Sequence, residues 1–502
     1  MGPCGEAMTW QLNSSKRNGA ALVGLALAVC GIALARLLRR RLRFSALPPM
    51  CPLSMRETLR EMTARGTPPG WLYRTRHELG TSVFRLRIPA LEHFVVVCDA
   101  ETARTILLDT KAEKPQNFYK PMAQVTGGIG TIFTKKTHGE GWEHARKGSA
   151  HAFTSVRISN NMAAAAPHLA DLDAVMAEHA RGQAPMPVSE TMVRLTVDII
   201  GSTGFGGYPM NALLDSDEAS ASDGRQFMLD LETALLEFTS KQAVNPLRRF
   251  THVWHPEVIE AKAAALRLMH FAQRILDVYR ASGRCEHDAD SLIAHLCNNQ
   301  MYPSDSERCA DVLTYLVAGH DTTGYTLSWI LCELARNPEI QDKLAGEVEE
   351  KGTESPYLQL IIKEGLRLHP VGALGSIRTC ATDVATRDGG VIPAGSSCLM
   401  PFYVIFREGW IENPTSFVPE RWKVGAPQAK DLERLIFPFS LGRRDCIGQR
   451  MAMAQLRTVL AHISPRYKLS IAREPVSDYF LTLKPANAFL HVSLREKRPK
   501  RA

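Results

Sequence analysis

No Cys-x-x-Cys pair occurs in this 502-residue chain, although it contains eleven cysteines. They stand at positions 4, 30, 51, 98, 285, 297, 309, 332, 380, 398 and 446, scattered and odd in number. This spacing offers no zinc site and no disulfide framework, and it assigns the body of the chain to a reducing compartment. The sixteen histidines include no His-Glu-x-x-His, so the helix-borne zinc hydrolases are excluded. No Gly-x-Gly-x-x-Gly follows a strand-like run, and the phosphate-binding loop that ends in Gly-Lys-Ser/Thr is missing. An oxidoreductase built on this sequence therefore takes its electrons from another protein. Internal repeats and low-complexity tracts are absent as well.

Charge is scarce where it would matter for nucleic acid. The formal net charge is +8, but Arg36, Arg39, Arg40, Arg41 and Arg43 carry +5 of it. The tail from Arg495 to Arg501 carries +4, which leaves the remaining residues at −1. A nucleic-acid-binding body would hold basic clusters within the fold, so that class is set aside. Hydrophobic content of 45% and charged content of 22% describe a globular protein with a sizeable core.

Acids are almost missing from the first fifty residues, where Glu6 stands alone. Gly19 to Ala35 contains no charge at all, and extension to Leu38 gives twenty residues, about 30 Å of helix. Lys16 and Arg17 precede this run and five arginines follow it. The positive-inside rule then places the N-terminus in the lumen and the body in the cytosol. We expect residues 1–44 to be a membrane anchor with its transmembrane helix at about 19–38. Residues 45–53 form a proline-rich hinge, and 54–502 form the body. The endoplasmic-reticulum membrane is the favoured location; an arginine-rich, acid-poor mitochondrial or plastid presequence is the rival.

Beyond the hinge, Ser82–Ile88 and Phe94–Cys98 read as strands of a small antiparallel sheet, with Asp99 capping the helix that follows. Most of the remaining chain has helical periodicity. The longest helix is expected from Ser304 to Ala335, opened by a Ser304–Glu307 capping box and closed by Pro338. Its middle reads Ala318-Gly319-His320-Asp321-Thr322-Thr323, poor helix-forming material. One reading is a small-residue packing contact. The other is a local widening that admits a small molecule beside Gly319, next to an acid and a hydroxyl.

One cysteine has a setting unlike the others. In Phe439-Ser440-Leu441-Gly442-Arg443-Arg444-Asp445-Cys446-Ile447-Gly448, it sits in a glycine-punctuated loop before the apolar helical run Met451–Leu460. Nearby arginines and a helix N-terminus lower a thiol pKa, and Gly442 and Gly448 let backbone N–H groups approach the sulfur. Upstream, Trp142 and Arg146 lie one helical turn apart on one face, two donors suited to a carboxylate. Glu-x-x-Arg occurs six times, mostly as ordinary surface ion pairs. The occurrence at Glu364–Arg367 differs because Phe417-Val418-Pro419-Glu420-Arg421-Trp422 follows it downstream.

The spacing Phe-x-x-Gly-x-Arg-x-Cys-x-Gly resembles the haem-ligand signature of the cytochromes P-450, the haem-thiolate monooxygenases. Ala-Gly-His-Asp-Thr-Thr resembles that family's oxygen-activation motif, and Glu364, Arg367 and Arg421 resemble its buried Glu-Arg-Arg network. The resemblance implies a mainly α fold with a small β region (α+β) and haem b with Cys446 as axial thiolate. Trp142, Arg146, Arg378 and Arg444 would bind the propionates, with Phe439, Gly442 and Gly448 shaping the loop. Gly319 would leave room for dioxygen, Thr322 would hydrogen-bond it and Asp321 would relay protons. Substrate walls would come from Phe227–Phe238, Tyr315, Leu316, Val371–Leu374 and the turn Pro485–Phe489.

The implied reaction inserts one oxygen atom into a lipophilic small molecule, by hydroxylation or epoxidation. Its electrons would come from a separate NADPH–cytochrome P-450 reductase, with cytochrome b5 as a further donor. Arg443, Arg450 and Arg457 would steer the acidic face of that reductase. Two other readings are a haem-thiolate isomerase or dehydratase acting on lipid peroxides, and a non-catalytic membrane haem-binding protein. Two departures from the family pattern stand out. Gln455 replaces an expected acid or small polar residue, and the Pro338–Glu364 segment is short, as if a loop before Pro356 were missing.

Overall fold

The structure is a computed structural model that describes residues 47–496, except 65–67, 89–90, 140, 215–221, 243–247, 249–254, 285–287, 289 and 301. The expected anchor at 1–44 lies outside the described residues. Among those described, no helix is long and apolar enough to cross a membrane.

Pro48–Leu53, the larger part of the expected hinge, is fastened to the body. Arg85 Nε donates to Pro48 O at 2.8 Å, Cys51 N to Arg85 O at 2.9 Å, and Arg87 to Cys51 O and Leu53 O at 2.9 and 2.7 Å. Strand β1 (Val83–Ile88) pairs antiparallel with β2 (Leu91–Val97) from Val83↔Val97, as the alternation in Ser-Val-Phe-Arg-Leu-Arg-Ile predicts. Two strands from far downstream complete the sheet. β4 (Ser397–Met400) lies parallel to β2, and β3 (Ser376–Thr379) pairs antiparallel with β4, giving the order β1-β2-β4-β3. Asp99 caps α1 (Ala100–Leu108), its carboxylate accepting Thr102 N at 2.7 Å.

Helices form the rest of the core, in chain order α2 (Trp142–Ala150), α3 (Val188–Gly204), α4 (Asp223–Leu235), α5 (Pro256–Ala281) and α6 (Asp305–Arg336). They are followed by α7 (Pro338–Lys351), α8 (Pro356–Leu368) and α9 (Gln449–Ile463). α6 is the predicted long helix and is α-helical throughout, with no break at Gly319. Ser304 accepts Glu307 N at 3.4 Å, but Glu307 reaches across to Lys135 at 3.0 Å, so the predicted capping box closes on one side only. α6 packs on α3 with little separation. A Cβ on Gly324 would lie 2.8 Å from Val193 Cα.

Apolar cores flank α6. One gathers Phe227, Phe271, Leu316 and Met451; the other gathers Met192, Leu327, Leu358 and Leu460. The short Pro338–Glu364 connection is continuous. α7 ends in a single 3-10 turn over Gly352–Glu354, and Ser355 then caps α8 by accepting Leu358 N at 3.2 Å. Ser355 Oγ also donates to Glu347 at 3.1 Å, which ties the two helices together where a longer loop was expected.

Candidate haem-thiolate site

The loop before α9 is closed by two backbone bonds, Ser440 N to Phe437 O at 2.9 Å and Cys446 N to Phe439 O at 2.8 Å. Gly442 has φ +74°, and a Cβ there would lie 2.4 Å from the Leu107 carbonyl oxygen, so the position requires glycine. Gly448 brings its N–H to the sulfur without a glycine-only conformation. Its backbone is ordinary (φ −81°), and a Cβ would sit 3.8 Å from Cys446 Sγ, a normal contact. Cys446 also does not itself open the helix, which starts three residues later at Gln449.

The Cys446 side chain is solvent-exposed although its position is deep, so the sulfur is open on one side. Burial raises its pKa. The N–H of Gly448, the Arg146 guanidinium and the N–H of Gln449 oppose that rise, and Asp445 adds to it. The nearby cation is therefore Arg146 rather than the two arginines in the loop. Arg443 pairs with Glu143. Arg444 donates to three carbonyls, Lys135 O and Ile132 O at 3.0 Å and Phe133 O at 3.1 Å.

Trp142 and Arg146 sit at the first two turns of α2, as predicted. Trp142 is buried beneath Arg444, whose guanidinium carbon is 4.5 Å from the ring centre. Arg146 donates to Asp445 O at 2.9 Å and pairs with the Asp445 carboxylate. Arg378 is buried on β3 and donates to Ile377 O at 2.9 Å.

The sequence reading missed Lys114. It is buried, its ammonium bonded to Phe133 O at 2.5 Å and lying 4.2 and 4.0 Å from the ring centres of Tyr119 and Phe133. Desolvation holds its pKa well below the ordinary lysine value, and Arg444 and Arg378 push it further. Arg444 is pushed down to about 9 by burial and by Arg378. Among the described residues, Lys114, Arg378 and Arg444 form no ion pair with a carboxylate. Three mutually repelling, largely buried cations fit a group that brings its own carboxylates, as haem does with two propionates. A single lysine in a polar stretch gives no sequence signal; tertiary contact alone identifies it.

Opposite the loop, α6 is buried from Cys309 to Ala335 except at Thr314, Val317, Ala318, Gly319, Asp321, Thr322 and Tyr325. Apart from Gly319, these recur every three or four residues and form one open face in mid-core. Tyr315 on the same helix lies within electrostatic reach of Cys446 and donates to Ser149 Oγ at 2.6 Å. Thr322 Oγ1 donates to Ala318 O at 2.8 Å. Asp321 Oδ1 lies 3.1 Å from His320 Nε2. A Cβ on Gly319 would come within 3.1 Å of the Ile200 side chain, so the missing side chain eases the contact between α3 and α6.

Glu364 Oε1 accepts Arg367, Arg421 and Val418 N at 2.8, 3.0 and 3.0 Å. Its Oε2 accepts Arg367 Nε and Trp422 Nε1, both at 2.9 Å. Of the expected substrate walls, Phe227, Tyr315 and Leu316 are buried in the core beside α6. The turn at Pro485–Phe489 contributes to a different apolar cluster. Ala488 packs in the opposite core, and Phe480 and Leu481 at the tip of the neighbouring hairpin reach the α6 side instead. Gln455 is buried, with no partner for its Nε2 among the described residues.

The chain is 32% identical over 285 residues to the Homo sapiens ultra-long-chain fatty acid omega-hydroxylase, covering 53% of this chain and 49% of that one. It is 38% identical over 185 residues to the Mus musculus leukotriene-B4 omega-hydroxylase 3, covering 33% and 34%. To the Arabidopsis thaliana cytokinin hydroxylase it is 28% identical over 377 residues, 69% of each chain. The chain thus spans half or less of the length of the human and mouse relatives it matches. A solved cytochrome P450 (CYP102L1) shares the fold, with a TM-score of 0.73 over 85% of this chain and 98% of that one at 22% identity. With the family model "Cytochrome P450" matching residues 64–491, this mainly helical chain with its small β region belongs to the cytochrome P450 family, whose cofactor is haem ligated by a cysteine thiolate.

Proposed function

We propose that the chain is a monooxygenase that hydroxylates a lipophilic small molecule, with Cys446 as the axial ligand. The observation that carries this reading is that α6, which has an open face with Asp321 and Thr322, also brings Tyr315 within electrostatic reach of Cys446, while the buried cations Lys114, Arg378 and Arg444 form no ion pair with a carboxylate among the described residues. When bound, haem supplies the iron at which dioxygen is activated. Lys114, Arg146, Arg378 and Arg444 bind its propionates, and Trp142 supports Arg444. The N–H groups of Gly448 and Gln449 stabilise the charge on sulfur. The Thr322 hydroxyl spends its one donor on Ala318 O, so its oxygen offers a lone pair to the open face and accepts a hydrogen bond there. Asp321 moves protons at its carboxylate. One oxygen atom enters a C–H bond and the other leaves as water, using two electrons and two protons.

A separate NADPH-dependent flavoprotein supplies the electrons. Arg450 is exposed and Arg457 partly exposed on α9, while Arg443 is engaged with Glu143. Arg450 and Arg457 are therefore the better candidates to steer an acidic partner. Reversing their charge should raise the reductase concentration needed for half-maximal turnover, and no change would remove them from that role. The charge-free run from Gly19 to Ala35 supports an endoplasmic-reticulum anchor at about 19–38, tested by resistance to alkaline extraction.

The named activities of the relatives, two omega-hydroxylases and a cytokinin hydroxylase, support hydroxylation, and ultra-long-chain fatty acids and leukotriene B4 are the first compounds to screen. The test is substrate-dependent NADPH and oxygen consumption with reductase, and mass-spectrometric detection of a product heavier by one oxygen. Conversion of a lipid peroxide without reductase, and no hydroxylated product with it, would replace this reading by the isomerase.

A further inference from the structure

His320 is buried in the middle of α6, one residue before Asp321. Both of its ring nitrogens face acceptors. Nδ1 is 2.8 Å from Leu316 O, and Nε2 is 3.1 Å from Asp321 Oδ1. A neutral imidazole has one N–H and can satisfy only one of the two. With Nδ1–H committed to the carbonyl, a second proton must lie between Nε2 and the carboxylate.

The other elements packed around His320 do not compete for that proton. From α3, Thr196 Oγ1 donates to the His320 carbonyl at 2.9 Å. From α4, the Phe227 ring meets the imidazole edge-on at 5.2 Å. The acids on those helices are engaged elsewhere. Asp198 accepts Ala212 N and Leu213 N at 2.8 Å, Asp223 accepts Tyr208 and Arg274, and Asp230 accepts Arg267. Burial works against the charged imidazole, but the Asp321 carboxylate and the Leu316 and Val317 carbonyls outweigh it and raise its pKa.

We infer that His320 is a positioning residue for proton delivery: an imidazolium that fixes the Asp321 carboxylate and stores one proton behind it. This rests on the monooxygenase reading above. During delivery the Nε2 proton passes to the Asp321 carboxylate, which then releases that proton to the open face. The imidazole is left neutral with Nδ1–H on Leu316 O, and solvent returns the proton through the accessible edge of Asp321. The protein atoms end unchanged, and only protons move.

The test begins with the wild-type full chain, reduced and carbon-monoxide-bound, labelled with 15N-histidine and with His320 assigned by its loss in His320→Gln. Both ring nitrogens should be protonated at about pH 7.5, a unit above the ordinary histidine value. Asp321→Asn should make the ring neutral at that pH. A neutral imidazole in the wild type, or the same state in both proteins, would overturn the inference. In turnover, His320→Gln should lower kcat about tenfold at unchanged KM, with more peroxide released per NADPH and a larger solvent isotope effect. Unchanged coupling and isotope effect would also overturn it. A chain that never turns over defeats the monooxygenase reading alone, because the nitrogen signals still decide the state of His320.

Discussion

Glu364 and Arg367, one helical turn apart on α8, meet through two hydrogen bonds of 2.8 and 2.9 Å in a place where neither side chain touches solvent. Arg421 approaches the same carboxylate at 3.0 Å, so one acid balances two guanidiniums brought from segments 54 residues apart. Such a group is strongly coupled to the fold, because removing the acid strands two buried cations.

Glu364→Gln should therefore destabilise the protein by roughly 3–5 kcal/mol in urea unfolding, the range for breaking a buried pair from one side. Burial raises the Glu364 pKa, but Arg367, Arg421 and Val418 N–H outweigh it and hold the pKa below the ordinary 4.5. A depressed folded pKa means this contribution is fully present above 4.5 and lost as pH falls through the folded value. The stability gap between wild type and variant should stay constant near neutrality and narrow in acid below pH 4.5. A gap that narrows between pH 6 and 8 would contradict the assignment.

Lys114→Met should act in opposite directions on the two states of the protein. Without haem, it removes a desolvated charge repelled by Arg444 and Arg378, so thermal stability should rise. With haem, it removes a propionate partner, and affinity should fall about tenfold, or about 1.4 kcal/mol. Haem-transfer kinetics and unfolding of the apoprotein measure the two signs separately. Equal signs would show that Lys114 is a packing residue and nothing more.

Gly324→Ala should cost roughly 1–3 kcal/mol, the usual price of overpacking. The added methyl group would meet Val193 Cα at 2.8 Å, and backbone cannot rotate aside. The variant should keep its haem spectrum while losing melting temperature; an unchanged melting temperature would show that α3 and α6 can separate freely.

The sequence carried the elements whose patterns are local. Strand alternation placed β1, and the Asp99 cap and the length of α6 were legible within a residue or two, because dihedral preference and periodicity act over short distances. The Cys446 loop and Glu364–Arg367 were legible because their geometry is written in fixed spacings. What escaped depends on distant segments meeting. Lys114 matters only because Arg378, on a strand more than two hundred residues later, arrives beside it. Of the two readings of Gly319, the packing contact has a partner that the sequence could not name, Ile200 of another helix.

The central claim, a thiolate from Cys446 on haem iron, is tested most directly by the reduced carbon-monoxide spectrum of the wild type beside Cys446→Ala. The account predicts a strongly red-shifted Soret band in the wild type and its loss in the variant. A histidine-like band in the wild type, or a red-shifted band that survives in Cys446→Ala, would contradict it.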